Sequence, residues 1–280
     1  MKKLIQWLIF TNLYIAFAAV CFQLIFHYWS HTEEWNWMLS LHTFFATWLV
    51  YQLSRYSFHQ NYIVTPEAQK DKIYQFVDQH PQFLKYSILF ASIGTLVTVM
   101  YLSRFTLLCL GFLGVISLLY PIKIGGKSLR AIPFIKVFLI GLVWSGMAVW
   151  MPMVEINALS NWLLYLPFFM FQFLFILFIT LPFDKKDVDV DQLTGVKTIP
   201  SIFGHRNVDR LIAALAIMLI VMSWYLFQDI GCFIALTALI TYLTFFSIKS
   251  IHRIQKWQVM AIYDGSMVLF FLIVYLFYGI

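Results

Sequence analysis

About nine apolar stretches, each near the roughly 20 residues a helix needs to cross a bilayer, run almost end to end through this chain. They lie near Leu4–Tyr28, Trp37–Tyr56, Phe83–Ser103, Phe105–Ile122, Ile132–Met153, Trp162–Phe183, Val208–Phe227, Gly231–Ile248 and Val259–Gly279. No connection is long enough for a soluble domain, so residues 1–280 read as one polytopic membrane domain. The expected fold is an all-α bundle of about nine transmembrane helices, N-terminus cytoplasmic and C-terminus on the opposite side. A chain that is 61% hydrophobic with a mean hydropathy of +0.80 excludes a water-soluble core.

Lys and Arg set the expected orientation. With the N-terminus inside, all 19 of them except Arg104 fall in or beside the N-terminal tail and the connections after spans two, four, six and eight. The opposite face carries Glu33, Glu34, Glu155 and Asp229. This asymmetry accounts for the net charge of +6 and gives no reason to invoke nucleic acid. A multi-pass protein of a bacterial inner membrane is expected. The start, "MKKLIQWLIF", is expected to remain as span one, not to be removed as a signal peptide. "AAVC" at Ala18–Cys21 has Val20 in a poor place for lipoprotein cleavage. Cys21, Cys109 and Cys232 are far apart in apolar spans and read as buried filler.

Two inner connections are long, Ser57–Gln82 and Asp184–Asn207. Long polar segments on one face point to a site opening toward the cytoplasm. Spans two and six each end in a polar cluster, a hint of a duplicated four-helix unit. The second cluster reads "FDKKDVDVDQLTGVKTIPSIFG" from Phe183. Asp184, Asp187 and Asp191 fall within about 60° on one helical face over a rise of roughly 10 Å. Asp189 points about 140° away, toward water. Three carboxylates on one face repel unless cations neutralise them. Magnesium suits them, because it binds one or two carboxylates and completes its shell with water and substrate phosphate. The alternative is a solvated helix end with Lys185, Lys186 and Lys197 as counter-charges. Two neighbours favour a site: Thr180-Leu181-Pro182 weakens the helix as it reaches the cluster, and "LTGVKTIPSIFG" offers a Gly-bearing turn with a lysine suited to an anion.

The stretch "DKKDVDVDQLTGVKTIPSIFG" resembles the second aspartate-rich motif of the UbiA superfamily of membrane prenyltransferases, D-x-x-D-x-x-x-D followed by G-x-K-T-x-P and a Gly. Asp184, Asp187, Asp191, Gly195, Lys197, Thr198, Pro200 and Gly204 match it. Upstream, "LLYPIKIGGKSLRAIPFIKVFLIG" is similar to the family's Tyr-Pro-x-Lys segment and the helix after it. The resemblance implies transfer of an isoprenyl group from a Mg²⁺-bound diphosphate to a membrane-soluble acceptor.

The family's first motif, N-x-x-x-D-x-x-x-D at the end of span two, is replaced by "YQLSRYSFHQN". Gln52 takes the Asn position, and Tyr56 and Gln60 take the aspartate positions. The Arg-rich entry to span one is absent as well. Gln52, Arg55 and His59 instead share one helical face, and ionisable groups at membrane depth face a cavity or a partner. One reading has Arg55, with His59, binding diphosphate directly where a second Mg²⁺ would have bridged it. The other pairs Arg55 with Asp184 or Asp187 as a tie between helices.

Lys123 and Lys127, around Gly125-Gly126, read either as diphosphate contacts or as ordinary inner-face charges. Asp264, two turns into span nine, reads as a residue of the same cavity or as a helix-end cap. His42 reads as a hydrogen-bonded packing residue. The leading expectation is a prenyltransferase in which Asp184, Asp187 and Asp191 hold Mg²⁺ and Lys197 adds charge on the diphosphate. Its main rival is a non-catalytic relative that binds an isoprenoid or phospholipid, or serves as a membrane partner. A transporter would explain intramembrane charge but not the G-x-K-T-x-P turn.

Overall fold

A computed structural model describes residues 2–32, 35–61, 72–119, 123–124, 127–128, 132, 134–188 and 197–279. Thirteen α-helices carry nearly all of them: α1 Lys2–Phe10, α2 Leu13–Ser30, α3 Trp37–Asn61, α4 Lys72–Gln79, α5 Pro81–Val99, α6 Arg104–Leu119, α7 Ile135–Ser145, α8 Met151–Glu155, α9 Trp162–Lys186, α10 Ile199–Phe203, α11 His205–Leu226, α12 Ile230–Lys249 and α13 Lys256–Tyr278. A minimal hairpin pairs Lys123 with Ser128 and Ile124 with Lys127.

Seven helical segments are long and apolar enough to cross a membrane. They correspond to expected spans one, three and five to nine. The other two expected spans differ in kind. The helix of span two, α3, is 25 residues long but carries the polar run Gln52–His59; that of span four, α6, is apolar but only 16 residues long.

The spans pack pairwise in chain order, α2 on α3, α3 on α5, α7 on α9, α9 on α11, α11 on α12 and α12 on α13. α6 lies along α7 and α8; α2 packs on both α13 and residues Gly146–Trp150 of span five, which closes α2, span five, α9, α11, α12 and α13 into a ring, with α3 and α5 packed outward from α2. Lipid tails are as apolar as Leu, so helix association here depends on close packing and on satisfying polar groups rather than on burial from water.

Span one is not the continuous helix expected over Leu4–Tyr28. It breaks at Thr11–Asn12, where Asn12 is left-handed (φ 59°). A break in a helix frees backbone carbonyls that must find other partners. The polar face of α3 satisfies them. The Thr11 carbonyl accepts from Trp48 Nε1 at 2.9 Å and Gln52 Nε2 at 3.1 Å, and the Phe10 carbonyl accepts from Arg55 Nη1.

Span five also departs from regular helix. Between α7 and α8 the residues Gly146–Trp150 form a π turn, in which the Met151 amide donates to the Gly146 carbonyl. Pro152 follows at once and cannot donate within the helix, so the turn widens ahead of it. The Met147 carbonyl is thereby available to Gln23 Nε2, 3.2 Å away.

Candidate functional site

The C-terminal end of α9 carries the charged run Asp184-Lys185-Lys186-Asp187, and each of its side chains reaches a different element. Asp184 is buried (1% exposed), and its Oδ1 accepts from Lys136 Nζ of α7 at 2.5 Å. Asp187, just past the helix end, accepts from Lys256 Nζ in the first turn of α13 at 2.8 Å. Lys185 is buried as well (2%). It pairs with Asp209 of α11 and donates to the Ser247 carbonyl of α12 at 2.9 Å. Lys186 reaches the His252 carbonyl at 3.4 Å. Four spans besides α9 are tied to this one helix end.

The counter-charges differ from the expected ones. Lys136 and Lys256 neutralise the aspartates, while Lys185 turns to Asp209 and Lys197 is exposed. A lone lysine one residue into an apolar helix was the signal for Lys136, since intramembrane charges seek partners. Lys256 and Asp209 lie at ordinary helix starts and carry no such signal.

Burial stratifies the two carboxylates. Asp184 lies beneath the surface with its lysine, whose side chain is 13% exposed. Asp187 remains partly open to water at 25%. Behind them, the Ser247 hydroxyl and the Tyr263 phenol share a 2.5 Å hydrogen bond. His205 and His252 meet edge to face at 5.0 Å. Burial, then the charges of Lys185, His205 and Lys186, hold the His252 pKa below the usual imidazole value, with Asp209 opposing them.

Past the acidic turn, Thr198 caps α10 reciprocally with Ser201. Gly204 then takes φ 76° with an extended ψ, a conformation only glycine holds without strain, and turns the chain into α11. Asp189, Asp191 and Gly195 lie outside the described residues, as do the side chains of Lys123, Lys127 and His59. Among the described residues no three His, Cys, Asp or Glu converge on a metal-sized site. Asp184 and Asp187 themselves suit Mg²⁺ in kind, being hard oxygen donors one helical turn apart with water access at Asp187.

On α3, Gln52 is 1% exposed and its amide is fully used. It donates to the Thr11 carbonyl and to Ser87 Oγ at 2.8 Å, and accepts from Asn12 Nδ2 at 3.0 Å. The described contacts of Gln52 and Arg55 thus go to the break in span one and to α5. Among the described residues, the ion-pair partners of Asp184 and Asp187 come from α7 and α13.

Asp264 lies in the body of α13, 8% exposed. It does not cap the helix, whose start is closed by Gln255 and Gln258. Its neighbours Ala261 and Gly265 both meet Tyr14 in the first turn of α2. The Tyr14 hydroxyl donates to the Ala261 carbonyl at 3.0 Å and occupies the space a Gly265 Cβ would need. Asp264 therefore faces α2 beside the break. His42 packs as expected, buried with Nδ1 3.0 Å from Thr98 Oγ1. The three cysteines are free thiols.

No protein-family model and no curated protein matches this sequence. Solved structures do match the fold. A UbiA homolog from Archaeoglobus fulgidus bound to GPP and Mg²⁺ superimposes with a TM-score of 0.63 at 12% identity, over 97% of this chain and 100% of that one. The same homolog bound to DMAPP and Mg²⁺ gives 0.61 at 12% identity, over 97% and 99%. A digeranylgeranylglyceryl phosphate synthase gives 0.55 at 15% identity, over 98% of both chains.

Proposed function

We propose that this chain, which has the fold of the UbiA homologs, is a prenyltransferase of that superfamily embedded in a membrane. It would move an isoprenyl group from an isoprenyl diphosphate to a membrane acceptor. One observation carries the reading: the Asp184–Asp187 turn, bracketed by Lys136 and Lys256, stands at the end of α9 in a fold whose neighbour binds GPP and Mg²⁺. The topology proposed with it has about nine spans and a cytoplasmic N-terminus, with the site opening inward.

In this reading Asp184, Asp187 and Asp191 hold Mg²⁺, which when bound supplies Lewis-acid charge to the leaving phosphate. Lys136 and Lys256 hold the first two carboxylates in place. Lys197 and Lys123 contribute direct positive charge to the diphosphate. As the C–O bond of the donor breaks, negative charge grows on the departing pyrophosphate, and fixed cations stabilise that growth. Gln52 and Arg55 act at one remove, by keeping the break in span one closed; His59, one helical face with them by its spacing, adds to the diphosphate contacts. The transporter reading has no counterpart for the G-x-K-T-x-P turn.

The second reading, a relative that binds an isoprenoid without transferring it, is favoured by one feature. Both described aspartates are already neutralised by lysines, so their charge is balanced within the chain. Purified protein incubated with GPP separates the two. Mg²⁺-dependent pyrophosphate release, abolished by chelation, supports transfer; saturable GPP binding with no release leaves only the binder.

A further inference from the structure

A groove opens between α6 and span five, at the end of the bundle away from the aspartate turn. Phe105, Leu108, Cys109 and Phe112 line one side, and their i, i+3, i+4, i+7 spacing puts them on one face of α6. Trp150 of the π turn, Val154 of α8 and Leu159 line the other. The cavity measures about 390 Å³, within the range of about 300–1,000 Å³ typical of ligand pockets. Val154 is buried and Cys109 half-buried, whereas Phe105, Phe112 and Trp150 are exposed. The groove therefore has a closed base and open rims, and its lining carries no charged side chain. It is not the diphosphate site, because Val154 lies roughly 27 Å along span five from Lys136 at helical rise.

Arg104 immediately precedes the groove as the first residue of α6. It is exposed, and it is the one basic residue that the expected topology puts on this face. Glu155 comes to the start of α6 but takes neutral donors instead. Its carboxylate accepts from Thr106 Oγ1 at 2.5 Å, Asn36 Nδ2 at 2.6 Å and the Ser103 amide at 3.1 Å. Among the described residues Arg104 has no ion pair. A guanidinium left over in this way suits a phosphate, which it can bind with two parallel hydrogen bonds. The length of α6 brings phosphate to it. Sixteen residues rise about 24 Å, short of the roughly 30 Å hydrocarbon core. A short span thins the bilayer around it, and a flanking arginine reaches out to the headgroups.

We propose that the groove holds one acyl chain of an anionic phospholipid whose phosphate is bound by Arg104. From Phe105 to Phe112 the groove runs about 10 Å, the length of about eight carbons of extended chain at C–C lengths near 1.5 Å. The rest of the chain continues over the open rim into the bilayer. Charge selects the headgroup: an anionic lipid neutralises Arg104, whereas a zwitterionic one brings a cation of its own. The bound chain covers the base of the groove and packs the short α6 against span five, so occupancy stabilises the fold.

The test uses the purified full chain, stripped of lipid in detergent, and reads its unfolding temperature against added phosphatidylglycerol or phosphatidylcholine with the same acyl chains. Phosphatidylglycerol should act at about fivefold lower concentration, the scale of one basic residue at an anionic lipid surface. Arg104→Gln, at an exposed position, should erase that difference. Cys109→Phe should fill the base of the groove and weaken both lipids; Leu108→Trp, on the exposed rim, serves the same end should Cys109→Phe fail to fold. Saturating GPP should leave the response to phosphatidylglycerol unchanged. Equal responses to the two lipids, or a preference that survives Arg104→Gln, overturn the phosphate contact and with it the proposal. Unchanged lipid binding in the filled variants overturns the groove as the site. Displacement of the lipid by GPP overturns it too, by placing the lipid at the Asp184 turn.

Discussion

Lys136 Nζ and Asp184 Oδ1 meet at 2.5 Å, the lysine side chain 13% exposed and the aspartate 2%. A pair this buried is asymmetric in its energetics. Forming it yields little net stability, because desolvation offsets the attraction, but removing one partner strands a charge. Lys136→Met should therefore destabilise the protein by about 3–5 kcal/mol, whereas Lys136→Met with Asp184→Leu should recover most of that loss. Thermal unfolding of the two variants in the same detergent checks this. Equal losses in both would mean that the pair does not carry the effect.

Gln52 should behave as a structural residue of the first span. Gln52→Leu leaves the Asn12 amide and the Ser87 hydroxyl without their buried partner and removes one donor from the Thr11 carbonyl. The expected cost is about 1–3 kcal/mol, with GPP affinity little changed. Lost affinity at unchanged stability would return Gln52 to the substrate.

Asp264 presents the opposite case. Burying a carboxylate without a hydrogen-bond donor is costly, and no described side chain donates to it. Asp264→Leu is expected to unfold at a higher temperature than the wild type. A lower unfolding temperature would reveal a partner that stabilises the carboxylate.

His252 links stability to pH. Its pKa is lowered by burial and by Lys185, His205 and Lys186, against the pull of Asp209. The unfolded chain then binds the proton more readily than the folded one. Stability is retained above the unfolded value near 6.5 and declines as pH falls through it toward the lower folded value. His252→Gln should flatten that part of an unfolding-temperature profile between about pH 7.5 and 5.5. An unchanged slope would assign it to other groups.

Much of this architecture is legible in the residues. The apolar stretches locate the helices, and the i, i+3 spacing puts Asp184 and Asp187 on one turn because that spacing is local. The partners of those residues are not local. Lys136 and Lys256 lie far from the acidic turn in sequence, and nothing in either segment states which spans become neighbours. The break at Thr11–Asn12 was hidden for a different reason. Neither residue is a proline or glycine, and the left-handed Asn12 is stabilised by α3 side chains that a reading of span one does not contain. The same fact explains why the sequence alone offers the polar face of α3 either to diphosphate or to a tie between helices. Its polarity was readable, but the carbonyls it serves appear only once the first span is broken.

The central claim is that the turn holding Asp184 and Asp187 is a Mg²⁺-dependent diphosphate site, and Asp187→Asn tests it most directly. The Asp187–Lys256 pair is partly exposed, 25% and 36%, so losing it should change stability by no more than about 1 kcal/mol. Pyrophosphate release from GPP should nevertheless fall on the order of a hundredfold, the scale of losing a fixed electrostatic stabiliser of the leaving group. A folded Asp187→Asn protein that releases pyrophosphate as fast as the wild type, with the same dependence on Mg²⁺, would contradict the account.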